Sequence, residues 1–241
     1  MLKTIYCYTM AWLYLVLSLP ALYKVRLLDK SKKIKKKDEL VYKFTSRLSR
    51  FLFKLTGSTV HVVGMEKIPD NQQVLFVSNH HSQLDSVIIH GYINKPKGFI
   101  SITDMEKIPI LNIWMKHMKC VFLDRSNARQ MLGCIEEATG FLKNGQSMVI
   151  FPEGKLCVED GVSEFKKGSL RLAIKAGVPI VPITLKGSAG MANMKGRDIK
   201  SAHVECVISD PIESTVSNKD EENKLIERVR NVIVKEYSLL S

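Results

Sequence analysis

A histidine and an aspartate five residues apart, His80 and Asp85, are the residues of this sequence best suited to chemistry. Four apolar residues, Val74–Val77, precede them, and an apolar run begins at Val87. This pattern predicts a buried strand, a turn that carries His80, and then a helix. α/β proteins place their chemistry at such junctions. At this spacing Asp85 can hold the proton of one ring nitrogen and leave the other as a general base.

Several neighbouring residues offer alternative interpretations of this stretch. Asp85 alone is typical of an acid in the first turn of a helix, where the helix dipole favours it. His81 lies four residues before Asp85 and competes with His80, because residues at that spacing share a helical face. Ser82 and Cys157 are candidate covalent nucleophiles, although neither lies in a Gly-x-Ser-x-Gly elbow.

Polar and glycine residues follow two later apolar runs, as they would at the ends of strands. Arg125 ends one run, where its guanidinium could bind a phosphate through two hydrogen bonds or form an ion pair with Asp124. Glu153 and Gly154 follow Pro152 after the other run. Glu153 can accept a hydrogen bond from a hydroxyl group, and Gly154 lets the backbone approach a ligand closely. An ordinary turn at the end of a strand explains the same two residues.

The order of these segments resembles the four sequence blocks of the glycerolipid acyltransferases, in particular the bacterial 1-acylglycerol-3-phosphate acyltransferases. The resemblance extends from Ser78 to Ile183. It implies direct transfer of an acyl group from a thioester to a glycerol hydroxyl, with His80 as the base and Asp85 as its partner. The four segments are Asn79-His80-x-x-x-x-Asp85, Val121–Arg125, Val149–Gly154 and Gly177–Ile183.

The resemblance also implies the substrates. The donor would be the thioester of acyl-carrier protein or of coenzyme A, a co-substrate, with no bound cofactor. The acceptor would be a lysoglycerophospholipid, first of all 1-acylglycerol 3-phosphate, which gives phosphatidic acid. The residues expected to bind substrate are Asn79, Arg125, Glu153, Gly154 and Lys155.

The sequence departs from the family pattern after Gly154. The family usually continues Phe-Pro-Glu-Gly with Thr-Arg-Ser, whereas this chain has Lys155, Leu156 and Cys157. An arginine associated with the acceptor phosphate is therefore absent, and Lys155 offers a point charge without the planar fork. A lysine that commonly precedes the proline of the second block is also absent. Two alternatives thus stay open: a different lyso-lipid acceptor, or a non-catalytic lipid-binding membrane protein.

The N-terminal segment has the character of a membrane anchor. Thr4–Tyr23 is uncharged and long enough to enter or span a bilayer, and Pro20 is expected to kink or stop the helix near its end. A signal peptide is the competing interpretation. Lys3 is the only early charge, however, and no clear small-x-small cleavage site precedes Lys24.

A basic cluster and an amphipathic segment follow the anchor. By the positive-inside bias, the cluster predicts a cell-membrane protein with its catalytic domain on the cytoplasmic side, attracted to anionic phospholipid headgroups. A solvated linker is the alternative. Leu40–Leu55 has a helical apolar period, which suits an interfacial helix or a core-facing one; its position beside the anchor favours the membrane. The cluster comprises Lys24, Arg26, Lys30, Lys32, Lys33, Lys35, Lys36 and Lys37.

The rest of the chain alternates between strand and helix patterns. We therefore predict an N-terminal membrane-associated segment, residues 1–56, and a catalytic α/β domain, residues 57–241, with a mixed, mostly parallel sheet flanked by helices. The predicted helices are Ala128–Leu142, Leu170–Ala176 and Asp220–Leu239. The predicted strands are Thr59–Val63, Val74–Val77, Phe99–Ile102, Cys120–Leu123, Ser147–Phe151, Ile180–Leu185 and His203–Ile208.

Composition narrows the class of partner. The chain has 241 residues, enough for one large domain and an appendage, and its 36 Lys and Arg against 24 Asp and Glu give a net charge of +12. An anionic partner is expected. Without a helix-turn-helix, zinc-ligand or RNA-binding aromatic motif, a phospholipid surface is favoured over nucleic acid. Five scattered cysteines with no Cys-x-x-Cys indicate reduced thiols, and no metal site is expected.

Overall fold

The computed structural model describes residues 2–124, 128–157, 161–192 and 198–240. Within these residues, helices pack on both faces of a single sheet. The helices are Leu2–Leu17 (α1), Leu19–Lys30 (α2), Ile34–Leu55 (α3), Leu84–Tyr92 (α4), Leu111–His117 (α5), Ala128–Lys143 (α6), Arg171–Ala176 (α7) and Lys219–Leu239 (α8).

The sheet of the described residues has seven strands in the order β1-β7-β6-β2-β5-β3-β4. All neighbours are parallel except β6 and β7, which are antiparallel. The predicted mixed, mostly parallel sheet flanked by helices is confirmed. The strands are Thr59–Val63 (β1), Leu75–Ser78 (β2), Lys97–Ile102 (β3), Val121–Leu123 (β4), Ser147–Ile150 (β5), Ile180–Lys186 (β6) and His203–Ile208 (β7).

Strand β2 lies at the centre of the sheet and is buried on both faces. Leu75 and Val77 face one apolar cluster, which α6, α7 and α8 cover. Phe76 faces a second cluster, built with Phe53 of α3 and Ile88 of α4. Burial on both faces explains why this strand is a continuous apolar run in the sequence.

Strand β3 begins two residues earlier than predicted. Lys97 pairs with Ser147 in β5, and its side chain is fully enclosed. Nζ of Lys97 donates hydrogen bonds to the carbonyl oxygens of Ile93, at 2.8 Å, and Lys95, at 2.7 Å. Because lysine is seldom buried, the sequence pattern gave no sign of a strand start here.

The N-terminal apolar stretch forms two helices rather than one. Helices α1 and α2 meet at an angle of 41°, and the break lies at Ser18, before Pro20. The Ser18 hydroxyl donates to the carbonyl of Leu15 at 2.6 Å and accepts from Nε1 of Trp114 at 2.9 Å. Pro20 lies in the first turn of α2, where its missing N–H removes no helical hydrogen bond.

Helix α3 uses its apolar face to pack inside the protein. Phe44 stacks on Trp114 with ring centroids 4.4 Å apart, and Phe53 is fully buried. Helix α4 approaches α3 closely at Gly91, where a β-carbon would lie 3.1 Å from the backbone nitrogen of Arg50. The apolar face of α3 therefore packs against the core of the protein. It does not lie in the membrane interface, which is the placement that we favoured. The domain boundary at residue 56 stays a prediction.

No single helix in the described ranges is both long enough and apolar enough to cross a bilayer, although α1 and α2 together meet the criterion by length and composition alone. Most of the exposed large apolar side chains lie on these two helices. They are Leu2, Ile5, Tyr6, Tyr8, Trp12, Leu13, Val16, Leu17, Leu19, Tyr23 and Leu27.

Candidate active site

The candidate site lies where the central strand β2 ends. Ser78 is the last residue of β2, and α4 begins at Leu84, so residues 79–83 form the turn between them. The amide of Asp85 donates to the carbonyl of Ser82 at 3.0 Å, which closes this turn. The strand, turn and helix predicted around His80 are thus present.

His80 and Asp85 are hydrogen-bonded. Nδ1 of His80 lies 2.9 Å from Oδ2 of Asp85, and the same oxygen accepts the backbone N–H groups of His81 and Ser82, each at 2.8 Å. Oδ2 thus acts as an acceptor, so Nδ1 carries the hydrogen and Nε2 is left as the acceptor of the ring. The Asp85 side chain is fully buried, whereas that of His80 is 18% exposed. The ring can therefore reach a substrate while its partner cannot.

Two further contacts hold the imidazole in place. The ring of Phe151 stacks on that of His80 with centroids 4.0 Å apart and an interplanar angle of 16°. The backbone N–H of Cys157 donates to the carbonyl of His80 at 2.7 Å. The chain that follows β5 therefore wraps around His80. Phe151 lies within a segment that the sequence singled out, but sequence reasoning gave it no role.

His81 has a different set of partners. Its Nδ1 lies 3.1 Å from the amide nitrogen of Asn79, and its Nε2 lies 2.6 Å from the carbonyl oxygen of Gly161. An amide nitrogen donates and a carbonyl accepts, so Nε2 carries the hydrogen and both ring nitrogens are engaged. The His81 imidazole does not pair with Asp85, so the geometry favours His80 as the base.

Asn79 is fully buried and supports the neighbouring strand. Its Nδ2 donates to the carbonyl of Leu185 at 2.7 Å, and its Oδ1 accepts the N–H of the same residue at 2.8 Å. The side chain thereby extends the pairing between β2 and β6 beyond Ser78. These bonds give the amide a positioning role, and the predicted contact between Asn79 and substrate stays a prediction.

Glu153 is a buried acid beside the base. It is only 3% exposed, and burial raises the pKa of its carboxyl to about 7, with Asp85 adding to the shift. This pKa is lowered, to a smaller extent, by the backbone N–H groups of His80 and Ser163 and by the charge of Arg230. Neither carboxyl oxygen, however, has a hydrogen-bond partner of normal geometry among the described residues. Glu153 can therefore play its predicted role, which is to accept a hydrogen bond from a hydroxyl group.

The other predicted binding residues lie on the same turn or outside the described residues. Gly154 has a φ of 70°, in the left-handed region that favours glycine. Lys155 is exposed and Leu156 half-buried. Arg125 lies outside the described residues.

The two candidate covalent nucleophiles are both buried. The Ser82 hydroxyl accepts the N–H of Leu84 at 3.2 Å and lies 3.3 Å from the carbonyl of Ala192. Sγ of Cys157 lies 2.9 Å from the hydroxyl of Ser163. None of these three hydrogen bonds involves the imidazole of His80.

Arg230 supports the site from a distant part of the chain. On α8, it donates from Nε to the carbonyl of Ser163 at 3.0 Å and from Nη2 to that of Val162 at 2.9 Å. These bonds fix the segment that includes Gly161, the partner of His81. No motif surrounds Arg230, so nothing in the sequence pointed to it.

Fold and site together are those of an α/β enzyme in which a buried carboxylate orients a histidine at the end of a central strand. Residues 59–186, just over half of the chain, match the sequence model of the family described as Acyltransferase, and the chain belongs to this acyltransferase family. The resemblance found in the sequence is thereby confirmed.

Relatives and a solved structure agree with this assignment. A "Probable 1-acyl-sn-glycerol-3-phosphate acyltransferase" of Mycoplasma pneumoniae is 36% identical over 171 residues, 69% of this chain and 64% of the relative. A protein of Mycoplasma genitalium with the same description is 29% identical, and the match covers 83% of this chain and 78% of the relative. The crystal structure of the 1-acyl-sn-glycerophosphate acyltransferase PlsC from Thermotoga maritima superposes with a TM-score of 0.86 at 28% identity, over 100% of this chain and 96% of that one.

Proposed function

We propose that this protein transfers an acyl group from a thioester to the free hydroxyl of 1-acylglycerol 3-phosphate, which produces phosphatidic acid. The observation that carries the proposal is the hydrogen bond of 2.9 Å between Nδ1 of His80 and the buried Oδ2 of Asp85. It leaves Nε2 as the ring nitrogen that can accept a proton. A protein that only binds lipid has no need of a base held in this way.

The chemistry follows from this tautomer. Nε2 of His80 removes the hydroxyl proton as the alcohol oxygen attacks the thioester carbonyl, and the new C–O bond forms. The C–S bond then breaks, and the leaving thiolate takes the proton back from Nε2. Asp85 stabilises the imidazolium in the interval, as the acid of a catalytic triad does. Glu153 accepts a hydrogen bond from the acceptor and helps to orient it.

The acceptor is supported by the names of the relatives, which specify 1-acylglycerol 3-phosphate. Leu156, where the resembling family usually has arginine, favours a second candidate, a lysophospholipid whose headgroup does not present a phosphate monoester. Both candidates use the same His80 and Asp85 chemistry, so a comparison of acceptors separates them.

We further propose that the enzyme works on the surface of the cell membrane, with its site on the cytoplasmic side. Exposed apolar side chains on α1 and α2 are followed in the chain by exposed cations of the basic cluster, among them Lys32, Lys33, Lys35 and Lys36. An apolar surface beside cations suits a bilayer that carries anionic lipids. The donor is acyl-carrier protein or coenzyme A thioester.

The test is an acyl-transfer assay with the full chain in anionic vesicles. 1-Acylglycerol 3-phosphate and lysophosphatidylcholine are each supplied with acyl-coenzyme A or acylated carrier protein. The wild type is expected to prefer the phosphate monoester, and His80→Ala to lower kcat by about 10²- to 10⁴-fold, the usual contribution of a general base. A preference for lysophosphatidylcholine would favour the second candidate, and full activity in His80→Ala would overturn the assignment of the base.

A further inference from the structure

We propose that Lys166 is the cation that selects the acceptor phosphate in this chain, in place of the arginine that the family pattern would put at Leu156. This inference rests on the proposed function and deepens it. Two segments of the chain are in contact here, the turn after β5 and the segment that leads to α7.

The side chain of Lys166 crosses directly over Gly154. A β-carbon built on Gly154 would lie 2.6 Å from Cε and 3.0 Å from Nζ of Lys166, so the lysine side chain occupies the place that the β-carbon of any other residue would take. The backbone of Lys166 is fixed at the same place, because its N–H donates to the carbonyl of Pro152 at 2.9 Å. Both the backbone and the side chain of Lys166 therefore lie on the Pro152–Gly154 turn.

This turn also surrounds the base. Phe151 stacks on the His80 ring, Glu153 lies near the N–H of His80, and Cys157 donates to the His80 carbonyl. Gly154 lies between Glu153 and Cys157 in the chain, and the Lys166 ammonium lies against it. A phosphate bound by Lys166 would therefore belong to a molecule that occupies the site of His80.

The Lys166 ammonium is available for a ligand. The residue is exposed, and it takes part in none of the ion pairs formed among the described residues. Two other lysines of the domain are, by contrast, already engaged. Lys97 is buried against the carbonyls of Ile93 and Lys95, and Lys119 pairs with Asp38 at 3.0 Å.

A phosphate group could reach Lys166 from either substrate, because coenzyme A and carrier-protein thioesters also carry phosphate. We assign the acceptor phosphate, since Glu153, adjacent to Gly154, is the group proposed to bind the acceptor. An ammonium of this kind binds a phosphate monoester as a point charge, without the two-pronged geometry of arginine. The two sources make different predictions for the two Michaelis constants.

The experiment compares Lys166→Gln, Lys166→Arg and Lys167→Gln with the wild type in vesicles. Lys167 is the exposed neighbour with the same charge, and none of its atoms is among the three nearest to a β-carbon built on Gly154. Lys166→Gln is expected to raise KM for 1-acylglycerol 3-phosphate about tenfold, equivalent to about 1.4 kcal/mol, with KM for the thioester within about twofold of wild type. Lys166→Arg should restore most of this loss, and Lys167→Gln should behave as wild type.

Each other outcome has a definite meaning. If KM for the thioester rises instead, Lys166 binds the donor and the assignment to the acceptor is overturned. If the wild type acylates the acceptor but Lys166→Gln and Lys167→Gln have equal effects, the inference fails and the proposed function stands. If the wild type uses only a neutral lysolipid, the proposed function fails. In that case, inhibition by inorganic phosphate tests the inference about Lys166 separately. Weaker inhibition of Lys166→Gln than of the wild type supports a phosphate site at Lys166, and equal inhibition of the two proteins refutes it.

Discussion

Oδ2 of Asp85 lies 2.9 Å from Nδ1 of His80 and also accepts the backbone N–H groups of His81 and Ser82. One oxygen thus fixes both the ring of the base and the turn that carries it. Asp85→Asn introduces an amide that can present its nitrogen to this position, which reverses the hydrogen bond and favours the wrong tautomer of His80. We expect kcat to fall by about 10³- to 10⁴-fold, by analogy with triad acids. Steady-state kinetics measures this fall, and a kcat within tenfold of wild type would argue against the orienting role.

His81 should contribute to stability rather than to chemistry. Its ring joins Asn79 to the carbonyl of Gly161, and His81→Ala leaves both buried groups without this partner. We expect the free energy of unfolding to fall by about 1–3 kcal/mol, measured by urea titration, while kcat changes less than tenfold. A large loss of kcat with unchanged stability would instead move the base to His81.

The buried carboxyl of Glu153 should make stability depend on pH. Its pKa in the folded protein is about 7, above the value near 4.3 of an exposed glutamate. The folded state therefore favours the protonated form, so the wild type loses stability as pH rises from about 4.3 and through 7. Glu153→Gln mimics the protonated form and should be more stable than the wild type by at most about 4 kcal/mol at pH 8, with little difference at pH 4. Urea midpoints across this range provide the measurement, and a difference that does not change with pH would mean that the pKa of Glu153 is the same in the folded and unfolded states.

Ser18 should be required for the attachment of the first two helices. Ser18→Ala removes the acceptor of the buried Trp114 N–H, which should cost about 1–3 kcal/mol of unfolding free energy. Ser31→Ala is the matched control, because Ser31 also bonds back to a helical carbonyl, Leu27 at 2.7 Å, but is exposed. Its effect should be within about 0.5 kcal/mol. Equal effects of the two variants would show that the bond to Trp114 contributes nothing.

The lysines before α3 should provide the electrostatic part of membrane binding. A variant with Lys32, Lys33, Lys35 and Lys36 all changed to Gln should bind vesicles of anionic phospholipid more weakly, by roughly fivefold per lysine at low salt. Sedimentation with vesicles measures this, and added salt should narrow the difference from wild type.

The control for this variant removes the same charge from α7 and α8, which cover the face of the sheet opposite α3 and α4. It changes Lys175, Lys219, Lys224 and Lys235 to Gln, and it should bind vesicles as the wild type does. Equal weakening of the two variants would show that only net charge matters.

The elements of the sheet were predictable where burial follows sequence periodicity. Strands β1 and β7 begin and end where their apolar residues predict, whereas the start of β3 was missed because Lys97 is a buried cation. The break between α1 and α2 was expected near Pro20 but occurs at Ser18, whose hydroxyl is held by Trp114, 96 residues away. Local sequence contains no information about such a partner.

The candidate site was predictable only for residues that act within one short segment. His80 and Asp85 meet because a single turn separates them. The pairing of Asn79 with Leu185 spans 106 residues, so it depends on the tertiary structure. The pKa of Glu153 is likewise raised by burial in the folded protein. The neighbouring residues in the sequence do not predict this burial.

The chain has two tryptophans in contrasting surroundings. Trp12 on α1 is 44% exposed, and Trp114 is fully buried against α3. Their emission should therefore report two different events without any label. Transfer of Trp12 from water into a bilayer would shift its fluorescence to shorter wavelength, while unfolding would shift that of Trp114 to longer wavelength. With Trp12→Phe as the reference protein, docking on vesicles and loss of the native core could be followed in one cuvette.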